Sequence, residues 1–406
     1  MKILYLGMVC NKANYLKEIE KSKVKPSVAA LVFENALLKG FKENNVDLTV
    51  KSFPVFPSFP HSKKLFWTNK TEDLESGYKT EWIPAININA VKQLTLKMNS
   101  KRMIKRWIKD NKDEEKVVLV YSIFEPIGKS VIDICKKTNT KCFAIVPDLP
   151  RDMFKADDKS FLRSYFKKMY VRKTTLIQSL FDGYVYLTEK MKDVISTTKP
   201  YIVIEGIADL YDNNKSLAKA NNKNFIIMYA GGINKSFGID NLVKAFIQLK
   251  NEDIELRLFG YGDYVSELEL YCQKDRRIKY YGWKTREEIL KYEAQADLLV
   301  NLRNNMDEYT KYSFPSKTIE YMLSGTPLLI TALEGIPDEY YKYVYSIPDN
   351  DIQTIQNKLC EMINLDKGEL EEMAKNAYEF IKNNKNAQNQ AKKIYFFLKE
   401  NIKDGR

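Results

Sequence analysis

The feature that most constrains this chain is a rhythm along its 406 residues. Short runs rich in β-branched and aromatic residues alternate with stretches of helical periodicity, in both halves. In the first half, strands are expected over 2–6, 47–53, 116–124, 141–147 and 183–187, with helices over 27–40 and 125–138. In the second, strands are expected over 225–231, 255–260, 278–281, 298–302 and 327–331, and helices over 238–249, 264–273, 286–295 and 316–324. Strands alternating with helices mean parallel sheets covered on both faces. The length exceeds one ordinary hydrophobic core, so two doubly wound α/β domains in tandem are expected. Their boundaries are set at 1–205 and 206–386, with the polar stretch 212–224 as linker. A last helix, in 387–406, carries an apolar seam (Ile394, Phe396, Phe397, Ile402) that must bury somewhere, and packing back on the first domain is one place for it.

Several function classes fall away on residue types alone. His61 is the only histidine, and it lies beside a Pro/Phe-rich loop, so a His-rich metal centre is excluded and a Ser-His-Asp or Cys-His hydrolase is disfavoured. Cys10, Cys135, Cys142, Cys272 and Cys360 are scattered, odd in number and without a CxxC, which argues against a disulfide framework or zinc and fits a reducing cytoplasm. No apolar run approaches the roughly 20 residues of a bilayer span, and the N-terminus reads as a strand rather than a signal peptide.

Charge divides the chain. Residues 1–200 hold 37 Lys and Arg against 22 acids, a balance of +15, whereas the remainder stands at −3 within a total of +12. Two segments concentrate the excess. In 97–109, Lys97, Lys101, Arg102, Lys105, Arg106 and Lys109 oppose a seam of Leu96, Met103, Ile104, Trp107 and Ile108. In 161–173, Arg163, Lys167, Lys168, Arg172 and Lys173 oppose Phe161, Leu162, Tyr165, Phe166, Met169 and Tyr170. Basic amphipathic helices with aromatics suit an anionic membrane surface. A pair of core-facing helices with solvated basic sides is the other reading. Nucleic acid is disfavoured, because no recognised binding module accompanies the charge.

In parallel sheets ligands bind at the carboxyl ends of strands, where glycines admit phosphates. The second half supplies three such ends: Tyr229-Ala230-Gly231-Gly232, Leu258-Phe259-Gly260-Tyr261-Gly262-Asp263 and Tyr281-Gly282-Trp283. One glycine turn alone is an ordinary turn; three in succession suggest a cleft.

Downstream lies Tyr312-Ser313-Phe314-Pro315-Ser316-Lys317-Thr318-Ile319-Glu320-Tyr321-Met322-Leu323-Ser324-Gly325-Thr326-Pro327. This segment resembles the donor-site signature of retaining glycosyltransferases of family four, as used in bacterial surface polysaccharide synthesis. The likeness extends through the glycine turns and over 225–330, and more weakly into the first half through Gly7, residues 26–40 and 146–150. The resemblance implies the GT-B fold, two facing Rossmann-like domains with a cleft between them. It also implies transfer of a sugar from a nucleoside-diphosphate sugar, UDP-linked, to a glycan or lipid-linked glycan with retention of configuration.

The family's site, carried over, gives Glu320 to the ribose diol, the N–H groups of Ser316 and Lys317 to the diphosphate, Lys317 to the leaving charge, and Trp283 to the nucleobase. Core packing is the alternative for Trp283. Gly7, Gly231, Gly232 and Gly262 complete the expected donor contacts, without metal or other cofactor. Two departures stand out. Tyr312 occupies the slot of the family's first glutamate, for which Glu308 is a nearby substitute. Ile233 and Phe237 occupy the slots of its Arg and Lys, whose work then falls to Lys235 or Arg303. Asp148, at a first-domain strand end, is the candidate to orient an acceptor hydroxyl, or else a helix N-cap. These departures keep a second class in view, a non-catalytic GT-B partner of another transferase. A GT-B epimerase is disfavoured by the single histidine.

Overall fold

A computed structural model describes residues 1–20, 22, 29–53, 56–149, 161–208, 210 and 223–403. The chain divides into two compact units, residues 1–207 with 387–406, and residues 208–386. Most of the expected linker at 212–224 lies outside the described residues.

The first unit is built on one sheet. Its central strand, β1 (Lys2–Gly7), has five consecutive buried residues, Ile3 to Gly7. Such a run suits a parallel strand covered on both faces. Strands β2 (Asp47–Ser52), β3 (Phe66–Trp67), β4 (Thr71–Asp73), β5 (Lys79–Trp82), β6 (Ala85–Ile86), β7 (Lys116–Tyr121), β8 (Lys141–Val146), β9 (Gly183–Tyr186) and β10 (Tyr201–Val203) follow. Eight of them form the order β10-β9-β8-β7-β1-β2-β5-β4, parallel except for β4 against β5. The remaining two, β3 and β6, pair antiparallel. Helices α1 (Lys12–Glu20), α2 (Ala29–Glu43), α3 (Asn89–Asp110), α4 (Glu125–Lys137), α5 (Phe161–Gln178) and α6 (Met191–Ile195) connect them.

The second unit runs β11 (Phe225–Ala230), α7 (Ile239–Ile247), β12 (Ile254–Phe259), α8 (Val265–Lys274), β13 (Ile278–Tyr280), α9 (Arg286–Gln295), β14 (Leu298–Asn301), α10 (Lys317–Leu323), β15 (Leu328–Thr331), β16 (Tyr345–Ile347), α11 (Ile352–Asn364) and α12 (Lys367–Asn384). Its sheet is wholly parallel in the order β13-β12-β11-β14-β15-β16. Strand order reverses between β11 and β14, and ligands of open α/β sheets bind at the carboxyl ends beside such a reversal.

The final helix, α13 (Ala387–Lys403), returns to the first unit. Ala391, Ile394, Phe397 and Leu398 join Ile3, Leu37 and Phe41 in its core. Gly40 makes the approach of α2 feasible, because a Cβ there would sit 2.0 Å from the Ala387 carbonyl oxygen. The seam differs from the expected one: Phe396 is exposed and Leu398 is buried in its place.

Helix α3 corrects the reading of the first basic segment. Its expected lipid-facing seam is in the core: Leu96, Ile104, Trp107 and Ile108 are buried, and the Trp107 indole N–H donates to Thr49 Oγ1 at 3.0 Å. Two of its lysines are tied to α4, Lys97 to Glu125 at 2.9 Å and Lys101 to Asp133 at 2.7 Å. A helix that must cover a sheet buries its apolar stripe there. Of the second basic segment, the side chains of 161–167 lie outside the described residues.

Candidate functional site

The geometry begins where β11 runs out of side chains. A Cβ on Gly231 would lie 2.6 Å from the Tyr229 hydroxyl, and one on Gly232 would lie 2.6 Å from the Phe237 ring. Gly260, at the end of β12, has φ +130°, and a Cβ there would stand 1.8 Å from the Gly231 carbonyl oxygen. Only glycine tolerates both the conformation and the approach. Gly262 is equally pressed, 2.0 Å from the Ile233 carbonyl oxygen.

The two loops are joined by hydrogen bonds. Ile233 N–H donates to the Tyr261 carbonyl (2.7 Å) and Tyr264 N–H to the Ile233 carbonyl (3.0 Å). Asp263 N–H donates to Asn234 Oδ1 (3.0 Å) and Lys235 N–H to Asp263 Oδ1 (3.1 Å). The Lys235 ammonium turns to the surface and pairs with Glu267 at 2.6 Å.

The charge the sequence lacks at 233 and 237 arrives from β14. Ile233 is fully buried, and the Arg303 guanidinium lies 5.0 Å over the Phe237 ring. That distance is within cation–π reach. Its Nε is buried with no hydrogen-bond partner. The positive charge also opposes the upward push that burial gives the Tyr229 and Tyr309 hydroxyls.

The segment entering α10 is held from beneath. Phe314 and Pro315 are buried, and the Phe314 ring packs at 5.3 Å against Tyr340. Thr318 N–H donates to the Pro315 carbonyl at 2.8 Å, so the N–H groups of Ser316 and Lys317 precede the first backbone bond of the turn. Inside the unit, the Tyr321 hydroxyl accepts from Ala230 N–H (2.8 Å) and donates to the Ala230 carbonyl (3.0 Å), fastening α10 to the end of β11. On the outer side Ser316 is exposed, while Lys317 and Glu320 are half-buried with Nζ and Oε2 3.4 Å apart. Tyr312 and Ser313 are half-buried just ahead, and Glu308 is exposed one turn earlier.

Trp283 follows β13 and Gly282 (φ +67°), with 59% of its surface exposed. Core packing is therefore not what its indole does; the neighbouring Tyr281 is stacked 4.8 Å from Phe259 while itself staying partly in solvent.

The second unit thus brings Gly231, Gly232, Lys235, Gly262, Trp283, Arg303, Tyr312, Ser313, Phe314, Pro315, Ser316, Lys317 and Glu320 to the carboxyl ends of β11–β14 and the first turn of α10. Gly7 and Asp148 belong to the first unit. A Cβ on Gly7 would meet Glu34 Oε2 at 2.0 Å. That buried carboxyl accepts from the Tyr5 hydroxyl (2.7 Å) and Met8 N–H (3.0 Å). Burial pushes it up to about 8 despite both bonds. Room for Glu34 is a local reason for the glycine. Asp148 is exposed, two residues beyond β8.

Sequence reasoning missed Glu293 on α9. It is fully buried, and neither carboxylate oxygen has a hydrogen-bond partner. Burial pushes its carboxyl up to about 8, the negative charge of Glu320 adds to the push, and Lys317 and Arg286 oppose it. No spacing or motif marks this position. Tyr321 lies inside the signature segment, but only the fold shows its hydroxyl bonded to Ala230. Among the described residues, no three His, Cys, Asp or Glu side chains are grouped as metal ligands.

Comparison with known proteins bears on this geometry. Residues 212–380 match the family described as glycosyl transferases group 1. No curated protein matches the chain. Among solved structures, sucrose-phosphate synthase from Thermosynechococcus elongatus superposes with a TM-score of 0.66 at 14% identity, covering 98% of this chain and 99% of that one. Anabaena HepE in complex with UDP gives 0.64 at 14%, covering 98% and 100%. The lipopolysaccharide outer core galactosyltransferase WaaB, in its apo form, gives 0.62 at 11%, covering 98% and 99%. At these identities the structural likeness establishes the GT-B fold. The segment that carries the site, within residues 212–380, matches the glycosyl transferases group 1 family, and the chain as a whole has the GT-B fold.

Proposed function

We propose that this chain transfers a sugar from a UDP-linked donor to a glycan or lipid-linked glycan, with retention of anomeric configuration and without metal. The observation that carries the reading is the pairing of Lys317 and Glu320 on the first turn of α10, beside the strand-order reversal. Glu320 would accept hydrogen bonds from the ribose diol. The N–H groups of Ser316 and Lys317, with the ammonium of Lys317, would face the diphosphate. Arg303 would add charge from the end of β14, and its unpartnered Nε–H is a donor awaiting an acceptor. Trp283 offers an exposed ring on which a base can stack.

The chemistry asks little else of the protein. As the glycosidic bond lengthens, charge accumulates on the leaving diphosphate, and cations placed there stabilise the transition state more than the ground state. Same-face attack, with a diphosphate oxygen taking the acceptor proton, retains configuration and needs no protein nucleophile. The first unit would carry the acceptor, with Asp148 to orient its hydroxyl, on the cytoplasmic side of a membrane.

A non-catalytic binding role is favoured by one observation: Ile233 is locked in the core, Phe237 is apolar and Tyr312 has no carboxylate, so three of the family's polar groups are absent. The experiment is incubation with a panel of nucleotide sugars and lipid-linked acceptors, with NMR of the product anomer. Turnover with retention supports the enzyme; tight nucleotide binding with no turnover on any donor supports the binding role.

A further inference from the structure

Helix α9 carries a carboxyl group that the donor reading above does not use. Glu293 is fully buried, and neither of its carboxylate oxygens has a hydrogen-bond partner. Its main-chain carbonyl is occupied, accepting from Thr326 Oγ1 at 2.7 Å, which fixes the end of α9 to the turn that follows α10. A buried polar group without a partner costs free energy, and a buried charge costs more. An apolar side chain of similar size would avoid that cost, so what Glu293 can act on decides its meaning.

It acts on the first turn of α10. The charges that bear on Glu293 are Glu320 and Lys317 from α10 and Arg286 from its own helix. The buried Tyr321 hydroxyl, bonded between α10 and the end of β11, feels its charge as well. Lys317 is held loosely: Nζ stands 3.4 Å from Glu320 Oε2 and 5.3 Å from the centre of the Tyr321 ring. A well-formed pair of this kind is closer, at about 2.7–2.9 Å. An ammonium so placed is available to a diphosphate outside or to a second carboxylate inside. Glu293 supplies that second carboxylate only when ionised. Burial, reinforced by the charge of Glu320, pushes its carboxyl up to about 8 against Lys317 and Arg286. At neutral pH the group is therefore an uncharged acid, and at higher pH it becomes an anion out of reach of solvent screening.

We propose that Glu293 is a positioning residue through which donor binding depends on a proton. Uncharged, it leaves Lys317 to the diphosphate and Glu320 to the ribose. As a carboxylate, it draws Lys317 inward and repels the nucleotide's negative charge. The inference rests on the donor reading of α10 and adds to it a control exerted from beneath the site. Above pH 8, binding requires Glu293 to recover a proton from solvent, so nucleotide binding and proton uptake are linked.

The experiment is calorimetric titration of UDP into the full chain between pH 6.5 and 9. The Kd should stay level to about pH 7.5 and then rise, by up to about tenfold at pH 9, where only about a tenth of Glu293 keeps its proton. Glu293→Gln cannot ionise, so its Kd should stay level where that of the unaltered chain rises. Glu34 and Lys92 are also moved to about 8, but both lie in the first unit and are common to the two proteins, as is any titration of UDP. Repeating the titration at pH 8.3 in buffers of different ionisation enthalpy counts the proton directly. The unaltered chain should take up roughly half a proton more per UDP than Glu293→Gln. Arg286→Gln, at an exposed position, removes a charge that favours the carboxylate and should move the rise in Kd to higher pH. A Glu293 that only fills space would alter affinity equally at every pH, or not at all. Parallel pH profiles for the unaltered chain and Glu293→Gln overturn the inference. So does equal proton uptake in the two, or a rise in Kd that Arg286→Gln leaves where it was. With UDP bound at pH 7, each of those results leaves the donor reading standing. No UDP binding at pH 7 removes the donor reading and this inference with it.

Discussion

Replacing Glu293 by Gln should change how stability depends on pH, in a direction the site dictates. An unfolded glutamate releases its proton near 4.5, whereas the folded Glu293 holds it up to about 8. Between those values the unfolded chain binds fewer protons, so this residue lowers stability steadily as pH rises through that window, and contributes no slope outside it. At about 1.4 kcal/mol per unit, the gap amounts to a few kcal/mol at pH 8. Lys317 and Arg286 oppose the shift, and Glu320 on α10 reinforces it. Glutamine keeps the shape and cannot ionise. Urea unfolding followed by fluorescence from pH 5 to 8.5 should give Glu293→Gln a growing advantage over the unaltered protein, on the order of a few kcal/mol at the alkaline end. Glu34 also titrates near 8 and is present in both proteins, so the difference isolates Glu293. A constant offset across the range, or an advantage that shrinks with pH, would refute the reasoning.

Other consequences follow from the same contacts. Tyr321→Phe leaves the N–H and carbonyl of Ala230 without the hydroxyl that serves both, and should cost about 1–3 kcal/mol in denaturant melts; an unchanged midpoint would show that the bond does not hold α10 in place. Gly260→Ala meets the Gly231 carbonyl at φ +130° and should lower stability by about 3 kcal/mol or more. Gly282→Ala, with open space around it, should cost roughly 1–2 kcal/mol, and equal losses at the two positions would remove the steric argument. Lys317→Ala should lower kcat more than it weakens donor binding, because leaving-group charge grows in the transition state; weakened binding with full kcat would contradict that role.

How much of this was legible in advance can be read from individual elements. Strands such as β1, β7 and β11 announced themselves because a strand buried on both faces is a continuous apolar run. The edge strands β4, β10 and β16, and β5 beside β4, did not, since short half-exposed strands such as Thr71–Asp73 carry little pattern. Helices α11 and α12 were passed over although both are amphipathic, for want of any motif to draw attention to them. The signature at 312–327 placed Lys317 and Glu320 together because they are three residues apart on one helix, a local relation. Relations between distant residues were out of reach: the Arg303–Phe237 stack, the Tyr321–Ala230 bonds and the burial of Glu293 need the fold. The lipid reading of 97–109 went astray for a related reason. Periodicity finds an apolar stripe, but whether it faces a core or a membrane depends on what α3 packs against.

Calorimetric titration of UDP into the full chain and into Glu320→Ala tests the central claim most directly. If Glu320 holds the ribose diol, the variant should stay folded and bind UDP more weakly by about 1.5–3 kcal/mol, the loss of charge-assisted hydrogen bonds to one carboxylate. That is roughly a 10- to 150-fold rise in Kd. An unchanged Kd in a folded variant would contradict the assignment of the donor site to the first turn of α10.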